Sequence, residues 1–377
     1  MSVRLSVETI NPLTSIRGAA ALWVAYFHFA GIESSPADPY WLTFIRRGFL
    51  GVDIFFILSG FIMSYCYAHF FTTDGLKRKM YFRFLGLRLA RVYPLHLFLL
   101  LVYLLLTFEV FLPNHAFAQD YEFQRMYWET FVQSLLLVQS WYVHHYEFWN
   151  DAAWTISVEW FIYLLFPLAI VVCMRLPRLA VAGLLIPVYS LIALSDANNP
   201  SLWGELHLRM PCGGILRGCA GYLTGILLYR LHAERTFFSL PWKLIGNLCL
   251  MLIPVVVVSI DRVGFILPVF ALLIYALAHP SNAGHVFWNS RPMIFLGDIS
   301  YSLYMIQFFI LAAFVHSNVH WTYITTLCCV LFTTVLVIFS YITYRSIEKP
   351  GRRYIRTRWL RSEAAGMPVT QASTAQT

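Results

Sequence analysis

LTSIRGAAALWVAYFHFAG, residues 13–31, decides how this chain folds and where its chemistry is to be sought. It is apolar and long enough to cross a bilayer as one helix, yet it carries an arginine, Arg17, and a histidine, His28. Eleven residues at about 100° each return to within roughly 20° of the starting direction, so the two side chains share a face about 16 Å apart along the axis. Ionisable groups at such depth are costly to bury, which makes each a functional candidate.

Outward from this segment the chain reads the same way. Of its 377 residues 59% are hydrophobic and 12% charged, a balance that excludes a soluble globular domain and is satisfied only by lipid. Further apolar stretches at 48–71, 92–112, 152–174, 178–195, 212–231, 242–260, 263–279, 294–316 and 320–344 predict an all-α integral membrane protein of about ten transmembrane helices. A weaker stretch, 126–142, raises the question of parity, and basic residues answer it because cytoplasmic loops collect them. The loop with Lys77, Arg78, Lys79, Arg83, Arg88 and Arg91 and the tail with Arg345, Lys349, Arg352, Arg353, Arg356, Arg358 and Arg361 belong inside. Alternation with the inside loops at Arg175–Arg178 and Arg230–Lys243 holds only if 126–142 does not cross, so it is expected to be re-entrant or interfacial on the outer side. Both termini are then cytoplasmic.

The formal charge of +8 is spread over loops beside the spans, which points to membrane orientation rather than nucleic acid. The seven cysteines lie in or at the ends of apolar spans without metal-ligand spacing and read as packing residues, with no metal expected. Residues 1–361 are expected to form one multi-pass domain and 362–377 a disordered tail.

Counting 1.5 Å per residue along the spans gives two polar clusters. His28, Asp53, Glu159 and Arg217 fall in the outer half of the membrane. Arg17, Arg88 and Arg91 fall at the inner surface, and three forked guanidinium groups on one face suit a polyanion such as a phosphorylated cofactor. Blander readings stand beside these. The basic residues can serve topology alone, Asp53 and Glu159 can lock helices through Arg217, and His28 can be an interhelical hydrogen-bond partner, the functional reading being preferred for the last three.

SIRGAAALWVAYFH, GVDIFFILSGFIMSY, the RxxRxxP pattern of RLARVYP (Arg88, Arg91, Pro94), WTISVEWFIYLLFP and LGDISYSLYMIQ together resemble the acyltransferase family 3 membrane enzymes over nearly the whole chain. The resemblance implies a bacterial cell-membrane enzyme that moves an acyl group, acetyl first among them, from cytoplasmic acyl-CoA to a hydroxyl of a cell-surface or lipid-linked glycan. It puts His28 at the catalytic centre and Arg17, Arg88 and Arg91 in donor binding. Asp53 or Glu159 is expected to orient the histidine as it acts as general base, and Arg217 to bind substrate or stabilise the oxyanion. An acyl-enzyme relay through His28 or Ser59 stays open. Some relatives carry a fused extracytoplasmic domain; this chain is expected to act alone or with a separate extracytoplasmic partner. The rivals are a proton-coupled secondary transporter built on the same buried His, Asp, Glu and Arg groups, and a glycan-binding subunit without chemistry.

Overall fold

In a bilayer every backbone polar group must be satisfied within the protein, and long apolar runs meet that demand as helices. The computed structural model describes residues 9–30, 39–73, 75–108, 121–141, 149–198, 213–259, 263–282, 285–315 and 326–365, and among these there is no strand. The helices are α1 (Asn11–Ala30), α2 (Tyr40–Arg46), α3 (Gly51–Thr73), α4 (Arg78–Thr107), α5 (Tyr121–Leu136), α6 (Trp154–Arg175), α7 (Arg178–Gly183), α8 (Leu185–Asn198), α9 (Gly213–Ala233), α10 (Trp242–Ser259), α11 (Val263–Ala278), α12 (Arg291–Val315), α13 (Thr326–Thr343) and α14 (Lys349–Ala365). Among the described residues six helical stretches are long and apolar enough to cross a membrane: Gly48–Thr73, Arg78–Thr107, Asp151–Arg175, Trp242–Ser259, Arg291–Ala313 and Leu327–Arg358. This is a multi-pass membrane protein.

Three expectations change. The third long helix begins at Arg78, not at residue 92, so RLARVYP lies inside a 30-residue helix that also contains Pro94. The stretch expected at 178–195 is divided between α7 and α8. Helix α14 runs to Ala365, past the expected start of a tail at 362; residues 366–377 lie outside the described residues.

Lipid offers apolar surface little reason to pair helices, so close packing of small residues does it instead. Helices α3 and α9 meet along Gly60, Gly221 and Gly225, where a Cβ at Gly225 would lie 2.6 Å from the Phe61 nitrogen. Helices α1 and α12 meet at Gly18 and Gly297, where a Cβ at Gly18 would lie 2.6 Å from the Gly297 nitrogen. Contacts along each pair fix their directions. Helices α3, α6 and α9 run parallel, since Asp53, Phe56 and Phe71 of α3 meet in turn Arg217 of α9 and Trp154 and Phe166 of α6. Helix α4 runs against α3, with Phe84 on Phe71 and Arg88 on Met63. Helices α1, α4 and α12 share the opposite direction, with Gly18 at Gly297 and His28 at Phe308, and Val92 at Tyr301 and Tyr103 at Phe309.

Helix α5 descends against α4 and stops opposite its middle, where Tyr93 Oη donates to the Leu135 carbonyl at 3.1 Å and His96 Nε2 to that of Ser134 at 2.8 Å. The chain then turns at Leu137, whose φ of 60° is the left-handed region that costs a branched side chain energy and is met here with a buried leucine. Beyond the turn the backbone N–H of Ser140 donates to Ser157 Oγ at 3.1 Å and Trp141 Nε1 to the Ser157 carbonyl at 3.1 Å, which ties the segment to the first turn of α6. Helix α5 thus packs along α4, and the segment after it turns back beside the start of α6.

Candidate active site

The four polar residues expected to share one outer layer occupy three separate places. Asp53 of α3 and Arg217 of α9 face each other where their helices touch, and both are buried. Arg217 Nε donates to Asp53 Oδ1 at 3.1 Å and Nη2 to Oδ2 at 2.8 Å, and Nη2 also donates to the Phe49 carbonyl at 2.8 Å. Its guanidinium lies over the Trp154 ring at 5.7 Å and over Phe49 at 5.9 Å. A paired, fork-to-fork arrangement of this kind satisfies two buried charges at once.

Glu159 lies further along α3, opposite Ser59 instead of Asp53. Ser59 Oγ donates to its Oε1 at 2.8 Å and Tyr163 Oη, one turn on in α6, to its Oε2 at 2.9 Å. It opens onto a cavity of about 130 Å³ whose lining also includes Arg17, Arg88, Arg91, Ser300 and Tyr301. The three arginines expected to converge therefore do so, and Glu159 joins them. Helix α1 delivers Arg17, which is held against α12 by Nε donating to Ser300 Oγ at 3.0 Å and Nη2 to the Gly297 carbonyl at 3.1 Å. Helix α4 delivers the other two from successive turns. Arg88 donates from Nη2 to Tyr67 Oη at 2.7 Å, lies over the Tyr67 ring at 4.9 Å, and has no hydrogen-bond partner for its Nε among the described residues. Arg91 Nη1 stands 3.8 Å from Glu348 Oε1. Among the described residues neither Arg17 nor Arg88 has a carboxylate within ion-pair distance, so two cations face this cavity held by neutral groups.

His28 does not line that cavity. It shares a side of α1 with Arg17, as the eleven-residue spacing requires, and packs against the same helix, α12, with its ring 4.6 Å from that of Phe308 and 4.8 Å from that of Phe27. Its Nδ1 has no hydrogen-bond partner among the described residues.

A family model described as an acyltransferase domain matches residues 11–344. The chain belongs to acyltransferase family 3. It is 26% identical over 369 residues to the O-acetyltransferase OatA of Staphylococcus aureus, covering 90% of this chain and 57% of that protein. It is 29% identical over 167 residues to the acyltransferase MdmB of Streptomyces mycarofaciens, covering 43% of this chain and 39% of that protein. The chain thus spans little more than half the length of OatA. No solved structure matches it.

In this family 3 chain two residues near the histidine escaped the sequence reading. Asp151 and Gln307 lie near enough to the His28 ring to bear on it electrostatically, without a hydrogen bond to it. Asp151 opens a short turn before α6 and is set in place by Asn150, whose Nδ2 donates to the Met305 carbonyl at 2.8 Å and whose Oδ1 accepts from the Ala152 N–H at 3.3 Å. Gln307 of α12 is 1% exposed, and neither its Oε1 nor its Nε2 has a hydrogen-bond partner among the described residues. An amide buried without partners costs free energy in the absence of a ligand. Asp151 was legible only as an acidic flank, and Gln307 stood inside LGDISYSLYMIQ without a charge to single it out. Among the described residues no group of three or more His, Cys, Asp or Glu is placed to hold a metal ion.

Proposed function

We propose that this protein is a membrane O-acyltransferase that takes an acyl group, acetyl by preference, from cytoplasmic acyl-CoA and delivers it to a hydroxyl of a cell-surface or lipid-linked glycan on the outer side. The observation that carries this reading is the cavity on which Arg17, Arg88 and Arg91 converge, with Arg17 and Arg88 held by neutral groups. An anion that brings several phosphate oxygens offers forked donors what these neutral partners withhold. Family membership and the likeness to an O-acetyltransferase support the acyl half of the reading.

His28 is the general base. Half-buried between two aromatic rings, its imidazole takes the proton of the acceptor hydroxyl as the hydroxyl oxygen attacks the thioester carbonyl. When the carbon–sulfur bond breaks, the imidazolium returns that proton to the departing sulfur, so no charge is left on the enzyme. Asp151 and Gln307, rather than Asp53, hold the ring and the charge it acquires in this reading. Glu159 belongs to the donor cavity, where its carboxylate is fixed by Ser59 and Tyr163. Asp53 and Arg217 serve as the lock between α3 and α9 instead of touching substrate.

The same reading counts ten spans and puts both termini in the cytoplasm. The six long apolar helices, α1, α9 and the shorter apolar stretches Arg178–Leu191 and Phe265–Ala278 support the count. The opposed directions of α1, α4 and α12 on one hand and α3, α6 and α9 on the other fit the alternation it demands.

The test is transfer from labelled acetyl-CoA by purified protein in lipid discs, with a glycan acceptor preparation. His28→Ala is expected to fold and to bind donor as the wild type does, and to lose transfer by a factor of about 10²–10⁴, the range of general-base catalysis. Transfer at the wild-type rate by that variant would remove His28 from the chemistry.

A further inference from the structure

When a hydroxyl attacks a thioester, the carbonyl oxygen takes up a negative charge, and in a site poor in water that charge needs a hydrogen-bond donor already in place. Arg217, expected there from the sequence, has its Nε and Nη2 engaged by Asp53 and by the Phe49 carbonyl. Helix α12 offers another donor.

Ser300, Tyr304 and Gln307 follow one another at intervals of four and three residues, the spacing that keeps side chains on one side of a helix. Ser300 and Tyr304 line the donor cavity, and Ser300 also receives Arg17 of α1. Gln307 continues that row toward the end of α1 that carries His28, and the next residue, Phe308, holds its ring 4.6 Å from the half-buried His28 ring. The same turn of α12 meets the segment before α6, where Asn150, the neighbour of Asp151, donates to the Met305 carbonyl at 2.8 Å. Gln307 therefore stands between the cavity and the base, one turn beyond the last cavity residue of its row.

Its side chain is a planar amide with one accepting oxygen and two N–H donors. It is 1% exposed, and neither Oε1 nor Nε2 has a hydrogen-bond partner among the described residues. His28 Nδ1 and Asp151 Oδ1 are likewise buried atoms without a partner there. An amide that satisfies nothing in its own fold is a burden that an apolar side chain of the same shape would not carry. A group present only during the reaction accounts for it. The amide oxygen suits the ring N–H of His28, which leaves Nε2 for a second partner.

We propose that Gln307 is a catalytic residue whose Nε2–H donates to the thioester carbonyl oxygen as it becomes the tetrahedral oxyanion. The proposal rests on the acyltransferase reading above and adds the donor that its mechanism lacks. The acceptor oxygen bonds to the carbonyl carbon while His28 takes its proton, and the carbonyl electron pair moves onto the oxygen that faces Gln307. As the carbonyl re-forms, the carbon–sulfur bond breaks and the sulfur takes the proton from the imidazolium. Gln307 is neutral throughout.

The experiment is steady-state transfer from labelled acetyl-CoA to the glycan preparation by the full chain in lipid discs, with thermal unfolding measured beside it. Gln307→Met keeps the shape without polar atoms, and Gln307→Glu keeps the length and an oxygen for the ring but puts an accepting atom where the donor was. Both are expected to lose kcat by a factor of about 10²–10³, the range for one oxyanion donor, with KM for acetyl-CoA and for the acceptor within about twofold of the wild type. Gln307→Met is expected to unfold at the same temperature as the wild type or higher, because it buries no unmet amide. Wild-type kcat in either folded variant overturns the proposal. A Met variant that unfolds at a lower temperature marks the amide as structural and also overturns it. So does a Glu variant that stays active while the Met variant is slow, which makes Gln307 a holder of the His28 ring alone, and so does a loss confined to the KM of the acceptor. Each of these leaves the acyltransferase reading intact. No transfer by the wild type, or wild-type transfer by His28→Ala, counts against that reading instead.

Discussion

Removing the Arg217 guanidinium leaves the Asp53 carboxylate buried without its paired donors, and removing the carboxylate strands the arginine. Breaking one side of a buried pair costs about 3–5 kcal/mol, whereas replacing both by apolar groups of similar volume is often close to neutral. Arg217→Ala or Asp53→Ala is therefore expected to lower thermal stability in detergent sharply, and Asp53→Leu combined with Arg217→Met to recover much of it; a stable single variant that loses only acceptor affinity would return Arg217 to substrate binding. At the histidine, Asp151→Asn is expected to slow transfer about tenfold or more, about 1.4 kcal/mol in the barrier, with donor affinity unchanged. Equal loss in both quantities would instead make Asp151 part of the donor site. The sequence showed which charges were buried, because arginine, histidine and carboxylates stand out in apolar helices. It offered Arg217 as a partner for Asp53 and Glu159 alike, without choosing between them. Depth counting placed Asp53, Glu159 and Arg217 within a turn or two of one another, and only the rotation of each helix, fixed by glycine contacts, decides that Arg217 meets Asp53 while Glu159 meets Ser59.

Helix pairing in this protein depends on a few glycines whose absent side chains leave room for another backbone. Gly225→Ala would push a methyl group against the Ile57 carbonyl and the Phe61 nitrogen, while at Gly183 a Cβ meets nothing within 4 Å. The first substitution is expected to destabilise the folded protein by about 1–3 kcal/mol, as overpacking does, and the second to leave its unfolding temperature unchanged or slightly raised. Thermal unfolding of the two variants side by side checks this, and equal behaviour would contradict the close packing of α3 on α9. The helices themselves were largely legible as apolar runs. The exceptions have a common physical cause. Arg78–Arg91 is too basic to register as a span, yet arginine, leucine and lysine are good helix formers, so α4 starts a full 14 residues before the apolar run. The π turn at Tyr344–Glu348 has no composition of its own and is imposed by the packing of Glu348 between α4 and α12.

At the scale of the whole molecule, the parts form a path. Arginines from α1 and α4 converge on a cavity beside α12, and α1 and α12 run together from that cavity to His28. A donor held by its phosphates at one end and bearing its reactive group on a flexible arm suits such a layout, and it is the feature that separates the enzyme reading from a proton-coupled carrier, for which an anion site of three arginines has no use. The sequence made this path legible in outline through the spacing of Arg17 and His28 and the pattern of RLARVYP. The measurement that tests it most directly is the affinity of acetyl-CoA for the purified protein, beside Arg88→Ala and CoA lacking its 3′-phosphate. Tight binding by the wild type that weakens at least tenfold in the folded Arg88 variant, about 1.4 kcal/mol, is the predicted result. Binding unaffected by that substitution, or no binding of acetyl-CoA by folded protein, would contradict the account.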